Sequence, residues 1–117
     1  IIPNSAKSIA RMSMELGGKS PMIVFDDADL DSAVNGVTAG IFAASGQSCA
    51  AGSRLILHEK VYDRFLEKLL DRAKRIVVGD PMEAGTEMGP LATKGQVDRI
   101  ERHLSKSIDM AEVVCQG

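Results

Sequence analysis

The chain has 117 residues, of which 44% are hydrophobic and 26% charged, and its formal net charge is −2. This length suits one soluble globular domain, and the interspersed acids and bases argue against nucleic acid or an anionic membrane as the main partner. No membrane-spanning helix is predicted, because no stretch of about 18 apolar residues occurs.

The first half of the chain predicts two strands and then a helix. Residues 12–16 alternate apolar and polar side chains, which is typical of a strand. Two glycines follow, and the apolar run at residues 22–25 predicts a short buried strand. Asp29 stands at the N-cap of a predicted helix, in which apolar residues recur at helical spacing from Leu30 onward. Gly46 is suited to the left-handed position that ends such a helix.

The second half predicts a strand, a helix, a loop, a helix and a strand. Residues 54–58 (RLILH) have three apolar residues at their centre and are predicted to be a strand. Residues 61–77 place apolar and charged side chains on opposite faces of a helix. Residues 79–90 contain three glycines and two prolines and are predicted to be a loop. A helix is predicted over residues 97–108 and a strand over residues 111–115. This alternation indicates an α/β fold with a largely parallel sheet.

The segment GQSCAAGSR places Cys49 among small residues, between the predicted helix and the next strand. Small neighbours and a chain turn leave a thiol accessible, and the thiolate form of cysteine is a nucleophile. The spacing alone leaves two interpretations open, a reactive thiol or a cysteine that fills space. The second cysteine, Cys115, lies in the predicted last strand and is interpreted as a packing residue.

Glu15 lies in the segment MELGGKSP, at the end of a predicted strand and before two glycines. A carboxylate partly shielded from water at this point is a candidate general base, and an edge-strand glutamate facing water is the alternative. Gln96 follows Thr93 by three residues, which is the spacing of a helix capping box. His58 and His103 are isolated from other potential ligands, so no metal site is assigned.

The two segments together resemble a known family. MELGGKSP, followed by the cysteine of GQSCAAGSR 34 residues after Glu15, closely resembles the two signatures of the aldehyde dehydrogenase superfamily. These signatures are a glutamate in E-L-G-G-K-[SA]-P and a cysteine in G-Q-x-C-x-A-x-x-R. DADLD, GDPM and MGPL resemble further family segments in the same order. The resemblance spans residues 13–117 and implies part of a three-layer α/β/α catalytic domain.

The resemblance implies a role for five residues. Cys49 would attack an aldehyde and form a thiohemiacetal and then a thioester, while its backbone N–H helps to hold the oxyanion. Glu15 would activate the water that hydrolyses the thioester. Leu16 and Gly17 resemble positions that border the nicotinamide end of NAD or NADP. Gln96 aligns with a position that contacts the cofactor ribose, and this role stands beside helix capping as an equal alternative.

The resemblance also sets the expected scope of the chain. Residues 1–117 are expected to be a partial catalytic domain, with the dinucleotide-binding and oligomerisation regions outside this chain, and the isolated chain is expected to be inactive. The start at Ile1 and the end at Gly117 fit a piece of a longer protein, and the resemblance implies that this parent protein is a homo-oligomer. With two cysteines and no signal peptide pattern, a cytoplasmic location is expected. Ala44 stands where many members have asparagine, which we interpret as a subfamily trait.

Two other functions stay open at this point. One is a different cysteine-dependent acyl-transfer enzyme, although such enzymes normally need a histidine partner, and neither His58 nor His103 lies in a recognisable motif. The other is a non-catalytic structural relative, against which the presence of both Cys49 and Glu15 argues. The sequence does not choose between NAD and NADP or name the aldehyde.

Overall fold

The computed structural model describes residues 1–115. Four α-helices and two strands form the regular structure of this part of the chain. In chain order they are α1 (Ile2–Ser5), β1 (Pro21–Val24), α2 (Leu30–Phe42), β2 (Arg54–Leu57), α3 (Tyr62–Lys74) and α4 (Lys94–Ser107). Short 3-10 helices cover Ala6–Ser8, Ala43–Gly46 and Glu59–Val61. Within residues 1–115, no helix combines the length and apolar composition needed to cross a bilayer.

The two strands form a parallel pair. Pro21 lies opposite Arg54, and the pairing continues in register to Val24 opposite Leu57. Parallel neighbours require a long crossover connection, and α2 provides it. The predicted α/β class with parallel strands is therefore confirmed.

The core lies where the sheet meets α2 and α3. Phe65 on α3 is completely buried. It belongs to a cluster of buried apolar residues that consists of Val24, Leu30, Val34, Val37, Val61 and Phe65. Leu30, Val34 and Val37 recur at intervals of four and three residues, which places them on one face of α2. The apolar periodicity that predicted both helices therefore marks the buried surface.

The start of α2 is fixed by the cap that the sequence predicts. The Asp29 carboxylate accepts a hydrogen bond of 2.8 Å from the backbone N–H of Ser32. This bond lowers the pKa of Asp29, because it stabilises the charged form of the carboxyl group. The N-cap prediction at Asp29 is confirmed.

The second face of the sheet is also apolar. Ile23, Phe25 and Ile56 are large hydrophobic side chains on or beside the strands, and all three are exposed in this chain. Apolar residues on both faces are typical of a parallel sheet covered by helices on each side. The composition of β1 and β2 is therefore that of a three-layer α/β/α sheet.

Two predicted strands are wrong. Residues 12–16 and 111–115 form neither strands nor helices, and no strand within residues 1–115 pairs with either of them. An alternating or apolar pattern forms a strand only when a neighbour completes its hydrogen bonds and covers its side chains. Cys115 is consequently exposed, so its interpretation as a buried packing residue is also wrong.

The predicted loop between α3 and α4 is confirmed, and it is tied to α3. The Glu87 carboxylate receives hydrogen bonds from the Arg72 guanidinium and, at 3.1 Å, from the backbone N–H of Val77. The Arg72 guanidinium is the main reason why the pKa of Glu87 is lowered. Val78 and Met88 also form an isolated parallel bridge. These contacts set the path of the chain toward α4.

Candidate active site

The turn before Cys49 has an unusual backbone. Ala44 and Ser45 have φ angles of 50° and 56°, and Gly46 follows with a φ of 72°. Glycine adopts this left-handed conformation freely. For each of the other two residues it costs about 1–2 kcal/mol of conformational free energy. Residues in such conformations persist only where neighbouring contacts hold them. We call residues 44–49 the cysteine turn.

Two side chains of the cysteine turn hold it against the segment that precedes α4. Ser45 Oγ donates a hydrogen bond of 2.7 Å to the carbonyl oxygen of Gly89. Gln47 Oε1 accepts one of 3.0 Å from the backbone N–H of Ala92, and Gln47 Nε2 donates one of 3.0 Å to the carbonyl oxygen of Ala44. These three bonds compensate for the cost of the left-handed residues.

Cys49 itself is exposed and carries a free thiol. The next residues turn back on Ser48, because Ala50 N–H donates to its hydroxyl at 3.3 Å and Ala51 N–H donates to its carbonyl at 3.1 Å. Within residues 1–115, the Cys49 backbone N–H has no acceptor. When a thiolate attacks a carbonyl group, the carbonyl oxygen becomes an oxyanion that needs a hydrogen-bond donor. A free N–H beside an accessible thiol can be that donor.

The segment that follows the cysteine turn packs closely against α2 and β1. Gly52 N–H donates a hydrogen bond of 3.0 Å to the carbonyl oxygen of Gly40 on α2. The Met22 side chain lies over both glycines, so that a Cβ on Gly52 would stand 2.0 Å from Met22 Sδ. A Cβ on Gly40 would stand 2.7 Å from Met22 Cε. The absence of side chains at these two positions allows the turn to approach β1.

Glu15 and Cys49 line the same open cleft, which has a volume of about 280 Å³. Its lining residues come from two segments, and they are Glu15, Leu16, Gly17, Gln47, Ser48 and Cys49. The two segments approach closely, since a Cβ on Gly18 would lie 3.8 Å from the Cys49 carbonyl oxygen. The structure therefore brings together four of the five residues that the sequence singles out.

Two environments were open for Glu15, a carboxylate partly shielded from water and a glutamate facing water. Glu15 is exposed, so the structure matches the water-facing alternative. The reason is the missing strand at residues 12–16, because without a partner strand this segment lies at the surface. In this position the carboxylate has direct access to water, which a general base for hydrolysis needs.

The cleft has room for a flat ligand beside the thiol. Leu16 is 70% exposed, and a Cβ on Gly17 would meet no atom within 4 Å. An exposed leucine followed by an uncovered glycine offers an apolar surface and close access to the backbone. The contact of these residues with the nicotinamide end of a cofactor stays a prediction.

Gln96 lies apart from the cleft lining. Its backbone N–H donates a hydrogen bond of 3.3 Å to Thr93 Oγ1, so Thr93 caps the start of α4. Within residues 1–115, the Gln96 side chain makes no reciprocal bond to the Thr93 backbone, so only half of the predicted capping box forms. The Gln96 amide is therefore free for another partner, and its contact with a cofactor ribose stays a prediction.

Neither histidine lines the cleft. His58 Nδ1 accepts a hydrogen bond of 3.3 Å from Lys60 N–H and caps a 3-10 helix, whereas His103 lies on α4 beside a separate cavity. The part of the chain described by the structure thus gives Cys49 no histidine partner.

Sequence reasoning missed Ser45 and Gln47. Ser45 lies directly before the segment GQSCAAGSR, and Gln47 lies within it. Their hydrogen-bond partners are distant backbone atoms, the Gly89 carbonyl oxygen for Ser45 and the Ala92 N–H for Gln47. The sequence singles out Cys49 and its small neighbours in this stretch, and it gives no indication of a distant contact.

The sequence model of the aldehyde dehydrogenase family matches residues 1–117, which is the whole chain. The chain belongs to the aldehyde dehydrogenase family. A relative from Acinetobacter baylyi, (Z)-2-((N-methylformamido)methylene)-5-hydroxybutyrolactone dehydrogenase, is 46% identical over 117 residues. That alignment covers 100% of this chain and 24% of the relative.

Solved structures of related proteins have the same fold. PnpE from Pseudomonas sp. WBC-3, solved in complex with nicotinamide adenine dinucleotide, superimposes with a TM-score of 0.84 at 45% identity. The match covers 92% of this chain and 22% of PnpE. An NADP dependent enzyme from E. coli superimposes with a TM-score of 0.88 at 42% identity, over 99% of this chain and 24% of that enzyme. This chain therefore spans about a quarter of the length of its relatives.

Proposed function

We propose that the complete polypeptide carrying this chain oxidises an aldehyde to a carboxylic acid with NAD or NADP. The observation that carries this proposal is the cleft shared by Cys49 and Glu15, which lie 34 residues apart in the sequence. Family membership supports the same reaction class. We further propose that residues 1–117 form part of the catalytic domain and that the dinucleotide-binding and oligomerisation regions lie outside this chain.

Cys49 is the proposed nucleophile. Its thiolate attacks the aldehyde carbon, a C–S bond forms, and the carbonyl oxygen becomes an oxyanion beside the free Cys49 N–H. A bound nicotinamide ring supplies the hydride acceptor for the oxidation, so that Cys49 then carries a thioester. The exposure of the thiol and the free backbone donor support this role.

Glu15 is the proposed general base. It accepts a proton from a water molecule, and the resulting hydroxide oxygen adds to the thioester carbonyl. The C–S bond then breaks, the carboxylic acid leaves, and the Cys49 thiolate is restored. The position of Glu15 on the same cleft, open to solvent, supports this step.

Leu16, Gly17 and Gln96 are the proposed cofactor contacts within this chain. Leu16 and Gly17 border the nicotinamide end, and Gln96 contacts the ribose. The uncovered surface of Leu16 and Gly17 supports the first assignment, and the free amide of Gln96 supports the second. The relatives include a protein solved with NAD and one described as NADP dependent, so both cofactors are kept in the proposal.

The two cysteines provide a matched test. In the complete polypeptide, Cys49→Ala is expected to abolish NAD(P)-dependent aldehyde oxidation, whereas Cys115→Ala is expected to keep it. The measurement is the absorbance of the reduced nicotinamide with a panel of aldehydes. Activity that survives Cys49→Ala would refute the proposal and would favour a structural role for this segment. The isolated 117-residue chain is expected to show no turnover.

A further inference from the structure

The cysteine turn and the start of α4 are joined through one side chain. Gln47 lies two residues before Cys49, and its partner Ala92 lies four residues before Gln96. Gln47 Oε1 accepts from Ala92 N–H at 3.0 Å, while Gln47 Nε2 donates to the Ala44 carbonyl at 3.0 Å. One amide group therefore fixes both the left-handed turn and the approach to α4.

We propose that Gln47 is a positioning residue that sets the distance between the Cys49 thiol and the Gln96 side chain. The proposal rests on the proposed function, in which Gln96 contacts the cofactor ribose. Thr93 follows Ala92 directly and caps α4, so a shift of Ala92 moves the first helical turn and Gln96 with it. Gln47 thus acts on cofactor binding through Gln96.

The contact has a specific chemical requirement at each end. The Ala92 N–H receives its acceptor from Gln47 Oε1, and the Ala44 carbonyl, which also accepts from the Gln47 backbone N–H at 3.0 Å, receives a second donor from Gln47 Nε2. A side-chain amide supplies both the acceptor and the donor. Ser45 adds a second tie, because its hydroxyl donates to the Gly89 carbonyl at 2.7 Å. The hydrogen bonds of Gln47 and Ser45 both join the cysteine turn to the segment that precedes α4. They lie at or beside Ala44 and Ser45, whose left-handed backbone conformation is costly.

The test is a double-mutant cycle on NAD binding to the complete polypeptide, measured by titration calorimetry without aldehyde. Gln47→Met keeps the length of the side chain and removes both hydrogen bonds. We expect it to weaken NAD binding about fivefold, as the loss of a net hydrogen bond implies. In a Gln96→Met background, we expect the same substitution to change affinity by less than about twofold, because its effect passes through Gln96.

Three further variants complete the test. Gln47→Glu keeps an acceptor for Ala92 N–H and is expected to bind NAD more tightly than Gln47→Met. Ser45→Ala removes the hydrogen bond to the Gly89 carbonyl, and this variant takes the place of Gln47→Met in the cycle if Gln47→Met does not fold. Ser105→Ala is the matched control, because Ser105 Oγ donates to the Glu101 carbonyl within α4, and it is expected to leave NAD affinity unchanged.

The outcomes separate this inference from the proposed function. Equal losses of affinity in both backgrounds, or no loss from Gln47→Met, would overturn the positioning role. A wild-type protein that binds NAD but oxidises no aldehyde would refute the proposed function, while the binding cycle would still report on Gln47.

Discussion

The Met22 side chain occupies the space that a side chain at Gly52 would need. A Cβ on Gly52 would stand 2.0 Å from Met22 Sδ and 2.5 Å from Met22 Cγ. The same methionine covers Gly40, whose carbonyl accepts a hydrogen bond from Gly52 N–H. The exit of the cysteine turn is therefore held between β1 and α2 by packing that requires two glycines.

Substitution of Gly52 tests this packing. Gly52→Ala is expected to lower the free energy of unfolding by about 1–3 kcal/mol, which is typical of an overpacked site. In a Met22→Ala background the cost is expected to fall, because the clashing atoms are removed. The measurement is the urea midpoint of the complete polypeptide.

The control for Gly52 is Gly36→Ala on α2, where a Cβ would meet nothing within 4 Å. This substitution is expected to be neutral or stabilising by up to about 1 kcal/mol, because alanine favours helix more than glycine does. Gly52→Ala with the same midpoint as Gly36→Ala would contradict the packing account.

The lowered pKa of Glu87 predicts that its carboxylate stabilises the folded chain in a pH-dependent way. The Arg72 guanidinium and Val77 N–H lower the pKa of Glu87 below its ordinary value of 4.5. Its contribution is therefore fully present above pH 4.5 and is lost as the pH falls through the lowered folded-state pKa. We expect Glu87→Gln to be less stable than wild type at pH 7 and to approach it in acid. Urea midpoints across this range provide the measurement.

Glu83→Gln, in the same loop, is the control for Glu87. The Glu83 side chain makes no hydrogen bond or ion pair within residues 1–115, so its replacement is expected to change little at any of these pH values. A stability difference between Glu87→Gln and wild type that is constant with pH would show that the carboxylate charge is unimportant.

Replacement of Glu15 is expected to separate the two halves of the reaction. Glu15→Gln leaves Cys49 able to form the thioester but removes the base, so thioester hydrolysis is expected to slow by about 10²–10⁴-fold. The reduced nicotinamide should then appear as a rapid burst, equal to the amount of enzyme, followed by a very slow phase. Stopped-flow absorbance measures both phases.

Glu67→Gln, exposed on α3, serves as the control for Glu15 and is expected to keep the wild-type steady-state rate. A Glu15→Gln protein with normal steady-state turnover would remove Glu15 from the mechanism. A loss of the burst itself would instead place Glu15 in the formation of the thioester.

The elements that the sequence predicted well are those with buried partners. The helix that begins after Asp29 and the strand over residues 54–58 were recognised because their apolar patterns coincide with the core. The same kind of pattern at residues 12–16 and 111–115 predicted strands that do not form. Strand formation depends on a neighbouring strand, and the pattern of one segment does not show whether such a neighbour is present.

The site could be predicted only in part. The proximity of Glu15 and Cys49 was expected from family resemblance, and the shared cleft agrees with it. The left-handed angles of Ala44 and Ser45 could not be predicted, since neither residue type favours them. The Gln47 contact was equally hidden, because a backbone N–H forms its far end and the path of a loop decides where that group lies.

The central claim is that Cys49 and Glu15 act in succession on one substrate in one cleft. Its most direct test is mass spectrometry of the complete Glu15→Gln polypeptide, quenched after mixing with aldehyde and NAD. We expect an acyl adduct on the peptide that contains Cys49, present at about one per subunit and absent from Cys115. Reduced nicotinamide that accumulates while Cys49 stays unmodified, or an adduct at another residue, would contradict it.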